Sequence, residues 1–228
     1  VIKAVLQRLQ KSEAEIDSDR FLDFVRKETE KQCRQKTFFE VYYKELETVS
    51  SGDLLSKIKT CLRNCMERER YRWAVENAIA TKKEWIIEPP GYGEARLGDL
   101  KVYCKVDFLF PVDDRIIIVD WKTGKRDEYK HNKQLTGYAA WAGYHLNRAA
   151  QDICPIIAYL HPEYEEIEIA LCDDDLRAFR DQIQRETDEM YGFCKDVAEN
   201  VPLDIGSFPM TDNLKICNYC NFREFCGR

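Results

Sequence analysis

Four consecutive β-branched residues, Ile116-Ile117-Ile118-Val119, run straight into Asp120-Trp121-Lys122-Thr123-Gly124. A run this apolar suits a strand buried on both faces, as the centre of an α/β sheet requires. Side chains at i and i+2 of a strand share a face, so Asp120 and Lys122 point the same way. The preceding apolar run carries Asp107 in Val106-Asp107-Phe108, and Pro111-Val112-Asp113-Asp114 between the two predicts a turn joining antiparallel partners. Charges at the end of a buried strand need a metal or a counter-charge to hold them there. Two carboxylates and an ammonium converging on one spot are the parts needed to hold a divalent cation and a water against a phosphodiester.

The periodicity around this centre predicts helix over 1–50, with Phe21, Phe24 and Val25, then Phe38, Phe39, Tyr42 and Tyr43, at helical spacing. Ser51-Gly52-Asp53 is read as the cap of a second helix over 54–81. A strand at 83–88, a loop at 89–93 and the central strands at 99–111 and 115–122 follow. A helix over 127–148 carries Gln134 and Tyr138, which stand four residues apart and so share one face. Strands at 153–160 and 164–171 form a hairpin around His161-Pro162-Glu163, a helix covers 173–199, and 201–228 is an irregular tail. This order predicts an α/β (α+β) fold, a mixed sheet flanked by helices. We divide it into a helical N-terminal region (1–82), a core (83–200) and a cysteine-rich tail (201–228).

At 228 residues the chain can bury a sizeable core, as one domain or one with an appended lobe. A net charge of −6 and a pI near 5.3 count against a protein that merely coats nucleic acid. Any nucleic-acid path must be a local basic strip. Lys122, Lys125, Arg126, Lys130, His131 and Lys133 supply one, with Lys125, Arg126 and Lys130 the candidates outside the carboxylate group; each of them equally suits a solvated loop or helix face. No apolar run spans a bilayer and no signal peptide is evident, so we expect a cytoplasmic protein without a membrane partner. Val1 in place of Met points to a fragment or a trimmed chain.

Asp107, Asp120, Lys122, Gln134 and Tyr138 together resemble the PD-(D/E)XK nuclease superfamily, and within it the RecB-like branch, over about 33–228. That branch sets an Asp in one strand, Asp-x-Lys in the next and Gln-x-x-x-Tyr in the following helix. The resemblance implies a restriction-endonuclease-like fold and a DNA nuclease, an exonuclease acting on single strands or duplex ends. It implies Mg²⁺ or Mn²⁺ on Asp107, Asp120 and the main-chain carbonyl of Trp121. Lys122 would then align the attacking water, and Gln134 and Tyr138 would orient Lys122 or hold a phosphate. One element departs from the pattern. Many members place a metal-binding His in the helix before the first core strand, whereas His131, His145 and His161 all lie downstream. Glu69 or Glu76 of the helix 54–81 could substitute, with Glu88 a third candidate; each also suits a surface carboxylate.

Ten cysteines without a signal peptide read as thiols or metal ligands. Cys217, Cys220 and Cys226 have C-x₂-C-x₅-C spacing, and a four-thiolate site needs one more, for which Cys33 is the best candidate. One early cysteine and three at the end resemble the iron–sulfur subgroup of RecB-like nucleases, which includes CRISPR-adaptation exonucleases and the AddB nuclease domain. The resemblance implies a [4Fe–4S] cluster joining the N- and C-terminal segments, with Zn²⁺ as the alternative, and work in CRISPR adaptation or DNA repair and recombination. Cys61, Cys65, Cys104, Cys154, Cys172 and Cys194 fall at apolar positions and read as core, with Cys61 or Cys65 the reserve for the fourth ligand. Two rival readings stay open. One is a nuclease domain active only inside a larger helicase or CRISPR assembly. The other is a metal-stapled module that binds without cutting.

Overall fold

The computed structural model describes residues 2–11, 18–89, 94–97 and 100–227. In chain order, helices α1 (Ile2–Lys11), α2 (Ser18–Gln35), α3 (Phe39–Tyr42), α4 (Ser51–Met66) and α5 (Glu69–Ala78) precede strands β1 (Ile86–Ile87), β2 (Glu94–Leu97), β3 (Leu100–Tyr103), β4 (Phe108–Val112) and β5 (Arg115–Lys122). Helix α6 (Glu128–Leu146), strands β6 (Ile153–Tyr159) and β7 (Glu165–Glu168), helix α7 (Asp173–Tyr191), strands β8 (Cys194–Asp196) and β9 (Val201–Pro202) and helix α8 (Leu214–Cys217) complete the order. The chain forms two units: Val1–Lys36 with Ser50–Asp181, and Thr37–Val49 with Gln182–Arg228.

The first unit is built on a mixed sheet of order β1-β4-β5-β6-β7, in which β5 and β6 are parallel and the other pairs antiparallel. β5 is central and buried from Ile116 to Asp120, as its β-branched run requires. Alternate side chains of β4 and β5 feed two cores. Phe108, Phe110, Ile117 and Val119 pack with Leu6 of α1, Cys61 and Cys65 of α4 and Ala74 of α5. Leu109, Ile116 and Ile118 pack on the opposite face with Ala139, Trp141 and Ala142 of α6. This is a mixed α/β fold with helices on both faces. A parallel pair cannot be joined by a tight turn, and α6 is the crossover that joins β5 to β6. It starts at Asp127, whose carboxylate accepts the Lys130 N–H at 3.1 Å, and ends at Asn147 in the left-handed region (φ 52°).

Several elements are shorter than their sequence patterns imply. Of the helical stretch expected over 1–50, residues 1 and 12–17 lie outside the described residues, and the rest contains α1, α2 and the single turn α3. The helix expected over 54–81 breaks at Glu67-Arg68 with neither Gly nor Pro, and its cap is Ser50, whose hydroxyl accepts the Asp53 N–H. The strand expected over 83–88 keeps only Ile86–Ile87, because Ile79–Glu84 tightens into a 3₁₀ turn. The long strand expected over 99–111 is two strands: β3 pairs with β2 in a separate ribbon, and only β4 joins the main sheet. The Asp113-Asp114 turn closes β4 onto β5 with Val112 opposite Arg115, so Pro111 and Val112 belong to the strand. Of the loop expected at 89–93, residues 90–93 lie outside the described residues.

In the second unit the helix expected to 199 stops at Tyr191, and β8 and β9 pair as a small antiparallel ribbon. Here the Arg223 guanidinium lies 3.5 Å from the centre of the Tyr43 ring and 5.3 Å from that of Phe39, and Phe193 stacks on Phe208. Among the described residues, no helix is long and apolar enough to cross a membrane.

Ile118 is wholly buried between β4, β6 and α6. Ile118→Ala removes buried methyl groups and leaves a cavity the sheet cannot close, so it should cost about 2–5 kcal/mol of unfolding free energy in denaturant titration.

Candidate active site

The register of the sheet decides which charges meet. Phe108 of β4 lies opposite Val119 of β5, so the next residues along, Asp107 and Asp120, extend the same antiparallel pairing. The Trp121 N–H donates to Asp107 Oδ2 at 3.0 Å and ties the two strand ends together. Asp120 is 2% exposed, and its Oδ2 meets the Lys122 ammonium at 2.6 Å. Apart from that ion pair, Oδ2 has no hydrogen-bond partner.

Helix α6 closes a ring around this pair. Lys122 Nζ donates to Gln134 Oε1 at 2.7 Å, Gln134 Nε2 donates to the Tyr138 hydroxyl at 2.5 Å, and that hydroxyl lies close enough to Asp120 to favour its charged form. Each polar group in the ring supports the next, which lets a carboxylate and an ammonium stay beside an apolar core. Burial, then the Asp120 charge, pushes the Tyr138 phenol far above its ordinary range, so it stays a proton donor. Burial also raises the Asp120 carboxyl, against the pull of Lys122. Asp107 is pushed up to about 6, by burial first and by Asp120 next, with Glu88 adding to the effect and the Trp121 N–H opposing it.

The structure thus brings Asp107, Asp120, Lys122, Gln134 and Tyr138 together, with Trp121 between them. Glu69 and Glu76 are exposed on α5 and do not line the cleft that holds Asp107. Glu88 does line it. This cleft, about 450 Å³ and open to solvent, is walled by α1 and α4 through Lys3, Leu54, Lys57 and Ile58, and by Trp121 and Thr123 of the β5 end. In the expected basic strip, Lys125 and Lys130 are exposed, whereas Arg126 is bound to Glu128 and Glu165.

His131 departs from its expected place in that strip. It is 8% exposed, its Nδ1 lies 2.7 Å from the Tyr159 hydroxyl, and burial followed by the nearby Lys122 charge lowers its pKa. The sequence held the signal, since 131, 134, 135 and 138 recur at helical spacing on one face of α6.

Cys61, Cys65, Cys104 and Cys154 are buried, and burial raises each thiol, the last three to about 12. Cys172 is instead exposed: its N–H and Sγ both engage Asp175 at the start of α7, while Cys194 is half-buried on β8. Cys33 is half-buried on α2 of the first unit, and Cys217, Cys220 and Cys226 lie in the second. The Phe222 N–H donates to Cys220 Sγ at 3.4 Å. Among the described residues, no three His, Cys, Asp or Glu side chains are gathered ready for a metal.

The raised Asp107 pKa has a thermodynamic consequence in the metal-free protein. The folded chain keeps this proton up to about pH 6, whereas the unfolded chain loses it near 3.8. Stability held by the protonated form is complete below 3.8 and is lost as pH rises through about 6. Asp107→Asn should therefore stabilise the metal-free fold at pH 7–8, by on the order of 1–2 kcal/mol after solvent screening, with the gain fading toward pH 4. Thermal unfolding across that range checks it.

A family model described as the PD-(D/E)XK nuclease superfamily matches residues 2–227. Among solved structures, the crystal structure of SSO0001 aligns with 90% of this chain and 96% of that one at 16% identity, with a TM-score of 0.38. No curated protein matches. Since the family match runs through the sheet and every residue of the ring, the chain belongs to the PD-(D/E)XK nuclease superfamily.

Proposed function

We propose that this chain is a Mg²⁺- or Mn²⁺-dependent deoxyribonuclease, an exonuclease working on single strands or duplex ends. Family membership suggests a metal-dependent nuclease and a nucleic-acid substrate, since superfamily members generally hydrolyse phosphodiesters and typically use these ions. The observation that carries the finer reading is the closed ring of Asp120, Lys122, Gln134 and Tyr138 beside Asp107.

The carboxylates fit a divalent cation. Half-buried Asp107 and buried Asp120 are neighbours that each resist ionisation, and the Lys122 ammonium is the counter-charge on Asp120 Oδ2. Two such oxygens with the Trp121 carbonyl offer the hard donors these ions prefer. When bound, the ion would neutralise charge on the phosphate and acidify a water. Lys122 would align the attacking water and offset the developing negative charge. Gln134 would fix the ammonium through its carbonyl oxygen, and Tyr138 would hold Gln134 and Asp120 in register. Lys125 and Lys130, exposed past the β5 end, would meet backbone phosphates.

Asp120→Ala removes a ligand and Lys122→Ala the group that aligns water. Each should lower Mn²⁺-dependent cleavage of labelled single-stranded DNA by about 10²-fold or more, with circular dichroism unchanged. Full activity in Asp120→Ala, once contaminating nuclease is excluded, refutes the assignment.

The tail thiols Cys217, Cys220 and Cys226 are further proposed to hold a [4Fe–4S] cluster, with Zn²⁺ as the second choice. The fourth ligand implied by the family resemblance is Cys33. The C-x₂-C-x₅-C spacing of the three tail cysteines supports this reading. Apolar burial does little to anchor this segment: Leu214, Ile216, Tyr219, Phe222 and Phe225 are all exposed. Anaerobically purified protein should be brown and contain iron, and Cys217→Ser should lose both colour and resistance of the tail to proteolysis. Elemental analysis showing neither iron nor zinc refutes the cluster, and normal iron in Cys33→Ser moves the fourth ligand elsewhere. A CRISPR-adaptation or repair setting, with a helicase or adaptation subunit as partner, is part of the same proposal.

A further inference from the structure

We propose that Glu88 is a third carboxylate of the Asp107–Asp120 metal site, and that Lys3 is the counter-cation the metal displaces from it. The inference rests on the metal-dependent reading above and concerns residues outside the five-residue motif.

The sheet register carries the argument. Ile87 of β1 lies opposite Phe108 of β4, and Phe108 lies opposite Val119 of β5. One step along, Glu88, Asp107 and Asp120 therefore form a single row across three neighbouring strands. The Glu88 N–H donates to the Asp107 carbonyl at 3.1 Å, so the pairing continues one residue past the strand. Like charges directly opposite one another on a sheet repel, and a row of three needs cations to persist.

Those cations stand at the two ends of the row. Lys122 meets Asp120, and Lys3 of α1 reaches Glu88, with Nζ 3.0 Å from its carbonyl oxygen and 3.2 Å from Oε2. Among the described residues, the central Asp107 is held by the Trp121 N–H. In the metal-free arrangement each end acid is held by its own lysine, Asp120 Oδ2 by the Lys122 ammonium at 2.6 Å, so the three carboxylates are not drawn onto one point.

Glu88 also sits at φ 34°, a left-handed conformation that a residue other than Gly rarely adopts. Strain of this kind persists where the surroundings over-determine a side chain's direction, commonly at a functional site. Together with Asp107, Glu88 lines the cleft from which Glu69 and Glu76 are absent. A divalent cation held by oxygen donors would compete with the Lys3 ammonium for Glu88 Oε2.

Calorimetric titration of Mn²⁺ into the metal-free full chain, without DNA, tests this. Glu88→Gln should weaken Mn²⁺ binding by about tenfold or more. Lys3→Met should tighten it, because a resident competitor is gone. If the two residues are only a structural ion pair, both variants lower the melting temperature and leave Mn²⁺ affinity unchanged, which overturns the inference. Should Glu88→Gln fail to fold, unchanged affinity in Lys3→Met overturns it alone. Asp120→Asn separates the two readings. If it abolishes Mn²⁺ binding while Glu88→Gln and Lys3→Met bind as the parent does, the metal site stands and the role of Glu88 falls. Parent-like binding by Asp120→Asn overturns both.

Discussion

The pairing of β4 with β5 sets Asp107 and Asp120 side by side at the end of two strands whose neighbouring positions, Phe108, Leu109, Ile118 and Val119, are aliphatic or aromatic. Neither carboxylate chooses its surroundings; the burial of Phe108, Leu109, Ile118 and Val119 fixes the backbone, and the acids follow. The cost of charge in that place then explains the rest of the site. Lys122 sits two residues along the same strand, Gln134 and Tyr138 complete its hydrogen bonds, and the Trp121 N–H holds Asp107. Ionised groups with every partner satisfied can remain where isolated ones cannot.

Topology supplies the second half of this arrangement. Because β5 and β6 are parallel, the chain must cross over between them, and the crossover helix has to lie on the sheet. Its apolar residues Leu135, Ala139 and Ala142 bury that face, which turns Gln134 and Tyr138 toward the β5 end. His131 and Tyr159 pin the start of the same helix to β6. The site is thus assembled by packing that any parallel pair would demand, with a few polar substitutions on one helical face.

The central strand, the crossover helix and the spacing of Asp107, Asp120, Lys122, Gln134 and Tyr138 were legible because each follows a fixed period and local chemistry. The break between α4 and α5 was not, since Glu67-Arg68 carries no Gly or Pro and helix propensity continues through it. The strand read over 99–111 hid a change of partner, because β3 leaves the main sheet for β2 without a break in strand propensity. His131 looked like one more cation in a basic run, and only the helical face it shares with Tyr138 distinguishes it. Glu88 was visible as a candidate. Its alignment with Asp107, however, depends on the β1–β4 register, a long-range property that no local pattern encodes.

The same charges bear on how an acidic chain could act on a polyanion. With net charge −6, long-range electrostatics does not draw phosphate in, and the carboxylates at the proposed site would repel it. Lys3 and Lys57 are the cations on the walls of the cleft that holds Asp107 and Glu88. Lys3, however, is bound to Glu88, so in the metal-free state its charge is spent on the protein's own acid. On the proposed reading, a divalent ion at the carboxylates changes two charges at once: it neutralises the acids and frees Lys3 to face a phosphate. Metal and substrate binding would then be coupled through one side chain, each strengthening the other by the same factor. An active site built this way stays closed to phosphate until its cation arrives.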